Sequence, residues 1–176
     1  EEVITSIKEI KRLQKIEKKL PKVNHELGWS PYEAKDYLSL SGIKTGYYKN
    51  SYEDEWHAIS NYIQLEEGFL ANNIAYYVCG EEKAATLLKL VLNINNPAHK
   101  QSAIQSLINY SKILSYKALN YELPKKIQKA ISLQESITLT DSNVTFSVEK
   151  IIWPADENKF TVRFSITHKE NKLEDY

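Results

Sequence analysis

Near Ser136 the apolar residues of this chain stop recurring every three or four positions and begin to recur every second position. That change constrains the fold more than any other feature. A spacing of three and four buries one stripe of a helix, whereas a spacing of two buries one face of a strand. Past the switch, Ile137 and Leu139 alternate with Thr138 and Thr140. Val144, Phe146 and Val148 alternate with Thr145, Ser147 and Glu149, and Phe160, Val162, Phe164 and Ile166 alternate with Thr161, Arg163, Ser165 and Thr167. Asp141-Ser142-Asn143 and Pro154–Asn158 supply turn residues between these runs. The alternation slips at Lys150-Ile151, which predicts a β-bulge there.

Before the switch the spacing predicts helices. Val3, Ile7, Ile10, Leu13 and Leu20 mark an amphipathic helix over residues 2–20, stopped by Pro21. Ser30-Pro31-Tyr32-Glu33 has the residues of a capping box and predicts a short helix to about Leu40, ended by Gly42. Residues 42–51 are rich in turn formers and are expected to form a loop. Trp56, Ile59, Ile63, Leu70, Ile74 and Tyr77 then predict one long helix from Ser51 to Gly80. Glu81 and Glu82 open another, with Leu87, Leu88, Val91 and Leu92 on its apolar face. Asn96-Pro97 caps a helix running to about Tyr121, and residues 125–133 form a further short one.

Three strands cannot bury their own face, so the helices are expected to cover it. The expected fold class is α+β: an N-terminal bundle of five to six helices packed on a C-terminal three-stranded antiparallel β-meander. Residues 1–22 form a stalk or docking helix. Residues 23–176 form a single domain, with helices to about 133 and strands over about 136–168. A chain of 176 residues with 42% apolar and 26% charged residues suits one such domain.

Net charge is zero but unevenly placed. Residues 1–22 carry +3, 23–92 carry −5, 93–132 carry +5 and 133–176 carry −3. The basic block between Lys100 and Lys129 holds lysine and no arginine, which argues against nucleic acid as a partner. Cys79 is the single cysteine, so an internal disulfide is excluded and a buried, inert thiol is expected. No run of 18 apolar residues occurs. Methionine is absent, which fits a chain that begins after a removed leader or anchor, or after trimming. Localisation in the periplasm or cell envelope is the resulting expectation, with the cytoplasm as the alternative.

Glycine-rich phosphate loops, nucleophile elbows and paired-cysteine motifs are all missing from the sequence. No cofactor is expected. Among acidic residues, Glu66 and Glu67 fall beside the predicted apolar stripe, where a buried carboxyl can serve as a general acid. Glu53 and His57 stand four apart, a spacing that places two ligands on one metal when the segment is helical. Tyr47, Tyr48 and Tyr52 lie in or beside the predicted loop and offer large contact area at low entropic cost.

These features lead first to a non-enzymatic protein–protein interaction module of a bacterial cell-envelope protein. Its partner is another protein, self-association runs through residues 3–20, and any membrane anchor lies outside the chain. Alternatives with the same residues are a toxin-neutralising immunity or inhibitor protein, a glycan hydrolase with a buried Glu acid, and a small-ligand or lipid sensor.

Overall fold

Residues 73–94 decide the architecture, and they are strands. The computed structural model describes residues 28–51 and 55–168, so the predicted helix over residues 2–20, with the self-association expected through 3–20, lies outside the described part. Strand β4 (Asn73–Gly80) and strand β5 (Ala85–Ile94) pair antiparallel from Asn73↔Asn93 to Gly80↔Ala85. Their link is tight, with Glu81 N–H donating to Ala84 O at 2.8 Å. Side chains on β4 alternate as the pleat demands. Ile74, Tyr76 and Val78 are fully buried on one face, and Tyr77 and Cys79 are half-buried on the other.

Among the described residues, five strands come before the two longer helices: β1 (Lys49–Asn50), β2 (Trp56–Ile59), β3 (Ile63–Gln64), β4 and β5. Three follow: β6 (Ile137–Asp141), β7 (Val144–Trp153) and β8 (Asp156–His168). All pairings are antiparallel, in one eight-stranded sheet of order β1-β2-β4-β5-β8-β7-β6, with β3 also paired to β4. Among the described residues there are three α-helices: α1 (Pro31–Ala34), α2 (Lys100–Leu119) and α3 (Lys125–Leu133).

The expected five-to-six-helix bundle on a three-stranded meander is therefore wrong. The C-terminal strands are where the alternation places them, but they continue a larger sheet through β5–β8 pairing rather than forming a separate meander. The long helix predicted from Ser51 to Gly80 and its successor are strands β2 to β5. The apolar steps at Trp56, Ile59, Ile63, Leu70, Ile74 and Tyr77 come from three strands and a loop, not from one helical face. A short apolar run has no period that separates a buried strand from a helix. Length and composition do separate them. Ile74-Ala75-Tyr76-Tyr77-Val78 is a short run rich in strand-favouring residues, bounded by Asn72-Asn73 and Gly80.

Other local expectations shift too. Ser30 makes no side-chain cap bond, and α1 stops after one turn. The chain then reaches a 3-10 turn at Ser39–Ser41, closed by Gly42 at φ 94°. Ser51 closes the β1–β2 connection, with its N–H and hydroxyl both donating to Glu55 O at 3.0 and 3.2 Å. The irregularity in β7 falls at Ile152/Trp153, two residues beyond the predicted bulge.

The core lies between one sheet face and the helices. Ile74, Tyr76, Leu88, Leu90, Leu92, Phe146, Phe164 and Ile166 face Ile104, Leu107 and Leu114 of α2 and Ile127 and Ile131 of α3 in one buried cluster. Trp29 joins it from the start of the described chain. It bridges to Ala85 through two backbone bonds of 2.8 Å, and its indole Nε1–H donates to Ala118 O at 2.9 Å. The Tyr76 hydroxyl donates to Ala34 O at 2.8 Å and ties α1 to β4.

Gly80 permits the tight β4–β5 link. A Cβ there would lie 2.6 Å from Thr86 N and 2.8 Å from Ala85 Cα, both backbone atoms that cannot rotate away. Gly80→Ala is expected to destabilise the protein by about 1–3 kcal/mol, the usual range for overpacking, as read by chemical denaturation.

Candidate functional site: the β3–β4 loop

Between β3 and β4 the chain turns through Leu65–Asn72, closed by Leu65 N–H donating to Asn72 O at 2.9 Å. Gly68 takes φ 124°, a conformation L side chains rarely adopt, so this position fixes the path of the turn. Beyond it, Phe69 is 99% exposed and Leu70 is 53% exposed. Single exposed apolar residues are common on protein surfaces. The way this loop is held is less so.

Asn72 is the anchor. Its side chain is fully buried, and Oδ1 accepts the backbone N–H groups of Asn95 and Asn96, each at 2.8 Å. Its Nδ2–H donates to Asn96 O at 3.0 Å, and its own N–H donates to Glu66 Oε1 at 2.7 Å. Asn95 Nδ2–H returns a bond to Ala71 O at 2.9 Å. The C-terminal end of the loop is thus fastened to the β5–α2 junction, its start is tied to that end through Glu66 and Leu65, and Asn96 also caps the 3-10 turn at Pro97–His99 by accepting from Ala98 N–H. Alongside, Asn93 Nδ2–H donates to Asn73 Oδ1 at 3.0 Å. Thr161 Oγ1–H donates to Asn93 Oδ1 at 2.8 Å, and Trp153 Nε1–H donates to Thr161 Oγ1 at 2.9 Å. This polar ladder crosses four strands beside the loop.

Glu66 and Glu67 are therefore loop residues. Glu66 is half-buried, with Oε1 engaged by Asn72; its Oε2 is buried and makes no hydrogen bond among the described residues. Glu67 is exposed beside Phe69.

The structure scatters the remaining sequence candidates. Tyr47 is 88% exposed on the approach to β1. Tyr48 stacks on Trp56 at 5.9 Å and donates its hydroxyl to Glu81 O at 2.8 Å; burial, then the nearby Cys79 and Glu81, push its phenol up to about 12. Its role in the structure is to pin β1 against the β4–β5 link. Tyr52 and Glu53 lie outside the described residues. His57 is half-buried on β2, opposite Cys79 in register. No group of three or more His, Cys, Asp or Glu with metal-holding geometry occurs among the described residues. Burial pushes the Cys79 thiol up, outweighing the opposite pull of Lys89, which disfavours the thiolate that nucleophilic chemistry requires. The lysines of the basic stretch sit mostly on the solvent side of α2 and α3.

Two open surface hollows among the described residues bear on this site. One of about 410 Å³ lies against β6 and β7, lined by Ser136, Thr138, Ser147 and Glu149. The other, of about 290 Å³, lies between α1 and α2, lined by Glu33, Asp36, Leu40 and Lys117. Neither reaches Glu66. Among the described residues no helix is long and apolar enough to cross a membrane.

Sequence reasoning missed Phe69 and Asn72, having placed both inside a helix. The signal was present: Glu-Glu-Gly before Phe69 and Asn-Asn after Ala71 are turn-favouring residues flanking two short apolar runs. Comparison of the chain with protein-family models, curated proteins and solved structures gives no match.

Proposed function

We propose that this chain is a non-catalytic protein-interaction module that meets its partner through the Leu65–Asn72 loop, with Phe69 as the anchoring side chain. The observation that carries this reading is a fully exposed phenyl ring on a loop held by the buried Asn72 side chain. Binding ordinarily costs the entropy of ordering loops and side chains; a loop already fixed avoids most of that cost. Aromatic residues inserted into a partner's pocket are typical energetic anchors. Two acidic residues precede Phe69 in the same loop, Glu67 exposed and Glu66 half-buried. The complementary surface is an apolar pocket with a basic rim, and anionic lipid is disfavoured by the same charges.

A glycan-hydrolase reading asks Glu66 to give a proton to a substrate. Its Oε1 instead accepts a backbone amide, and neither surface hollow includes it.

Removing a buried phenyl ring forfeits about 1.5–3 kcal/mol of transfer free energy, which is roughly a tenfold to hundredfold loss in affinity. Phe69→Asp is expected to abolish partner capture in affinity purification from the source cells, with circular dichroism and melting temperature unchanged. Tyr47→Asp, at another highly exposed aromatic, is expected to leave capture intact. Equal capture by wild type and Phe69→Asp contradicts the proposal.

A further inference from the structure

We propose that β6 pairs with the β6 of a second copy of this chain, joining two sheets into one. Among the described residues the sheet ends at β1 and the two-residue β3 on one side and at β6 on the other. Natural sheets blunt their edges with short strands, charges, proline or bulges. β1 is blunted by its length of two residues. β6 is five residues long, pairs with β7 without irregularity, has no proline, and carries its one charge, Asp141, at the turn end, leaving Ile137-Thr138-Leu139-Thr140 uncharged.

The turn between β6 and β7 fixes which backbone groups are free. It has two residues, Ser142 at φ 49° and Asn143, closed by the pair Asp141↔Val144. In such a hairpin the closing pair is hydrogen-bonded and the pattern alternates from there. Ile137, Leu139 and Asp141 therefore direct N–H and C=O toward β7. Thr138 and Thr140 direct theirs away from the sheet.

Those outward groups select one register. A two-fold antiparallel pair centred on Leu139 places Thr138 opposite Thr140 of the second copy, and Thr140 opposite its Thr138. All five residues then overlap, and Glu135 faces Asn143. Centring on Thr138 brings Glu135 opposite Asp141, two like charges that repel. Centring on Thr140 leaves only three residues of each strand in register. On the core side Ile137 and Leu139 are half-buried, and Leu133 of α3, which packs beside β6, is 51% exposed. The second copy covers this apolar rim.

Sedimentation equilibrium of the full chain tests the pairing. Thr138→Pro removes an N–H that points away from β7, so the monomer keeps its ladder while the new edge bond is lost. The expected result is a wild-type dimer, and a dissociation constant raised at least about tenfold in Thr138→Pro. Leu139→Lys and Leu139→Glu place like charges face to face at the two-fold axis. Each alone is expected to be monomeric, and their mixture is expected to restore a dimer. If Thr138→Pro fails to fold, the charge pair decides. A wild-type monomer at every concentration overturns the proposal, as does a dimer that Leu139→Lys leaves intact.

Discussion

Asn72→Ala is expected to lower the stability of this protein by about 3 kcal/mol or more and to release the β3–β4 loop. The side chain satisfies two backbone amides and one carbonyl at the β5–α2 junction, all within 3.0 Å. Alanine leaves these groups without their partner, and each buried polar group so left costs about 1–3 kcal/mol. Solvent reaching the site recovers part of that loss, which sets the estimate near the lower end of the combined range. Denaturant unfolding gives the magnitude. Amide hydrogen exchange gives the location: protection should fall over residues 65–72 and 95–98 and stay unchanged in β7. Asn72→Asp keeps the acceptor for both amides but sets a carboxylate oxygen against Asn96 O in place of the donor, so its loss is expected to be smaller than that of alanine where the two amide bonds dominate. Equal losses for Ala and Asp would show that the two amide bonds are not what holds the loop.

Trp29→Ala should cost about 3–5 kcal/mol, the range for deleting a large aromatic from a packed core. Trp29 is 1% exposed, donates to Ala118 O at 2.9 Å and meets His168 edge-on at 5.9 Å. Through these contacts one residue links β5, the C-terminal end of α2 and the end of β8. Trp29→Phe retains most of the apolar volume but loses the indole donor, and a cost of about 1 kcal/mol is expected for that bond. The ordering Ala well below Phe, and Phe below wild type, is measured by thermal or chemical unfolding. A neutral Trp29→Ala result would place this residue outside the folded core.

The sequence marked some elements well because their surroundings were one-sided. β6 to β8 alternate cleanly, since one sheet face is buried and the other meets water. α2 shows its stripe at Ala103, Ile104, Leu107, Ser111, Leu114 and Ala118 for the corresponding reason. Strands β4 and β5 are central in the sheet. Tyr77, Cys79, Leu87 and Val91 on the far face are themselves half or fully buried, so alternation disappears into a continuous apolar run. Read at helical steps, such a run mimics a stripe. The loop suffered from that misreading. Phe69 drew no notice because it stood beside Leu70, which counted as a core position of the supposed helix. Once Asn72 ends the loop and Asn73 begins β4, Phe69 becomes the most exposed aromatic among the described residues. No rule of spacing links Asn72 to Asn95 and Asn96. That network depends on strand register, which exists only after β4 and β5 pair.

A photo-crosslinking residue at position 69 tests the central claim most directly, with the same residue at Leu40, 95% exposed, as the reference. In source cells, position 69 is predicted to give one discrete protein adduct that position 40 does not give, and Asn72→Ala in the same chain is predicted to weaken it. No adduct at 69, or the same adducts from both positions, contradicts the account.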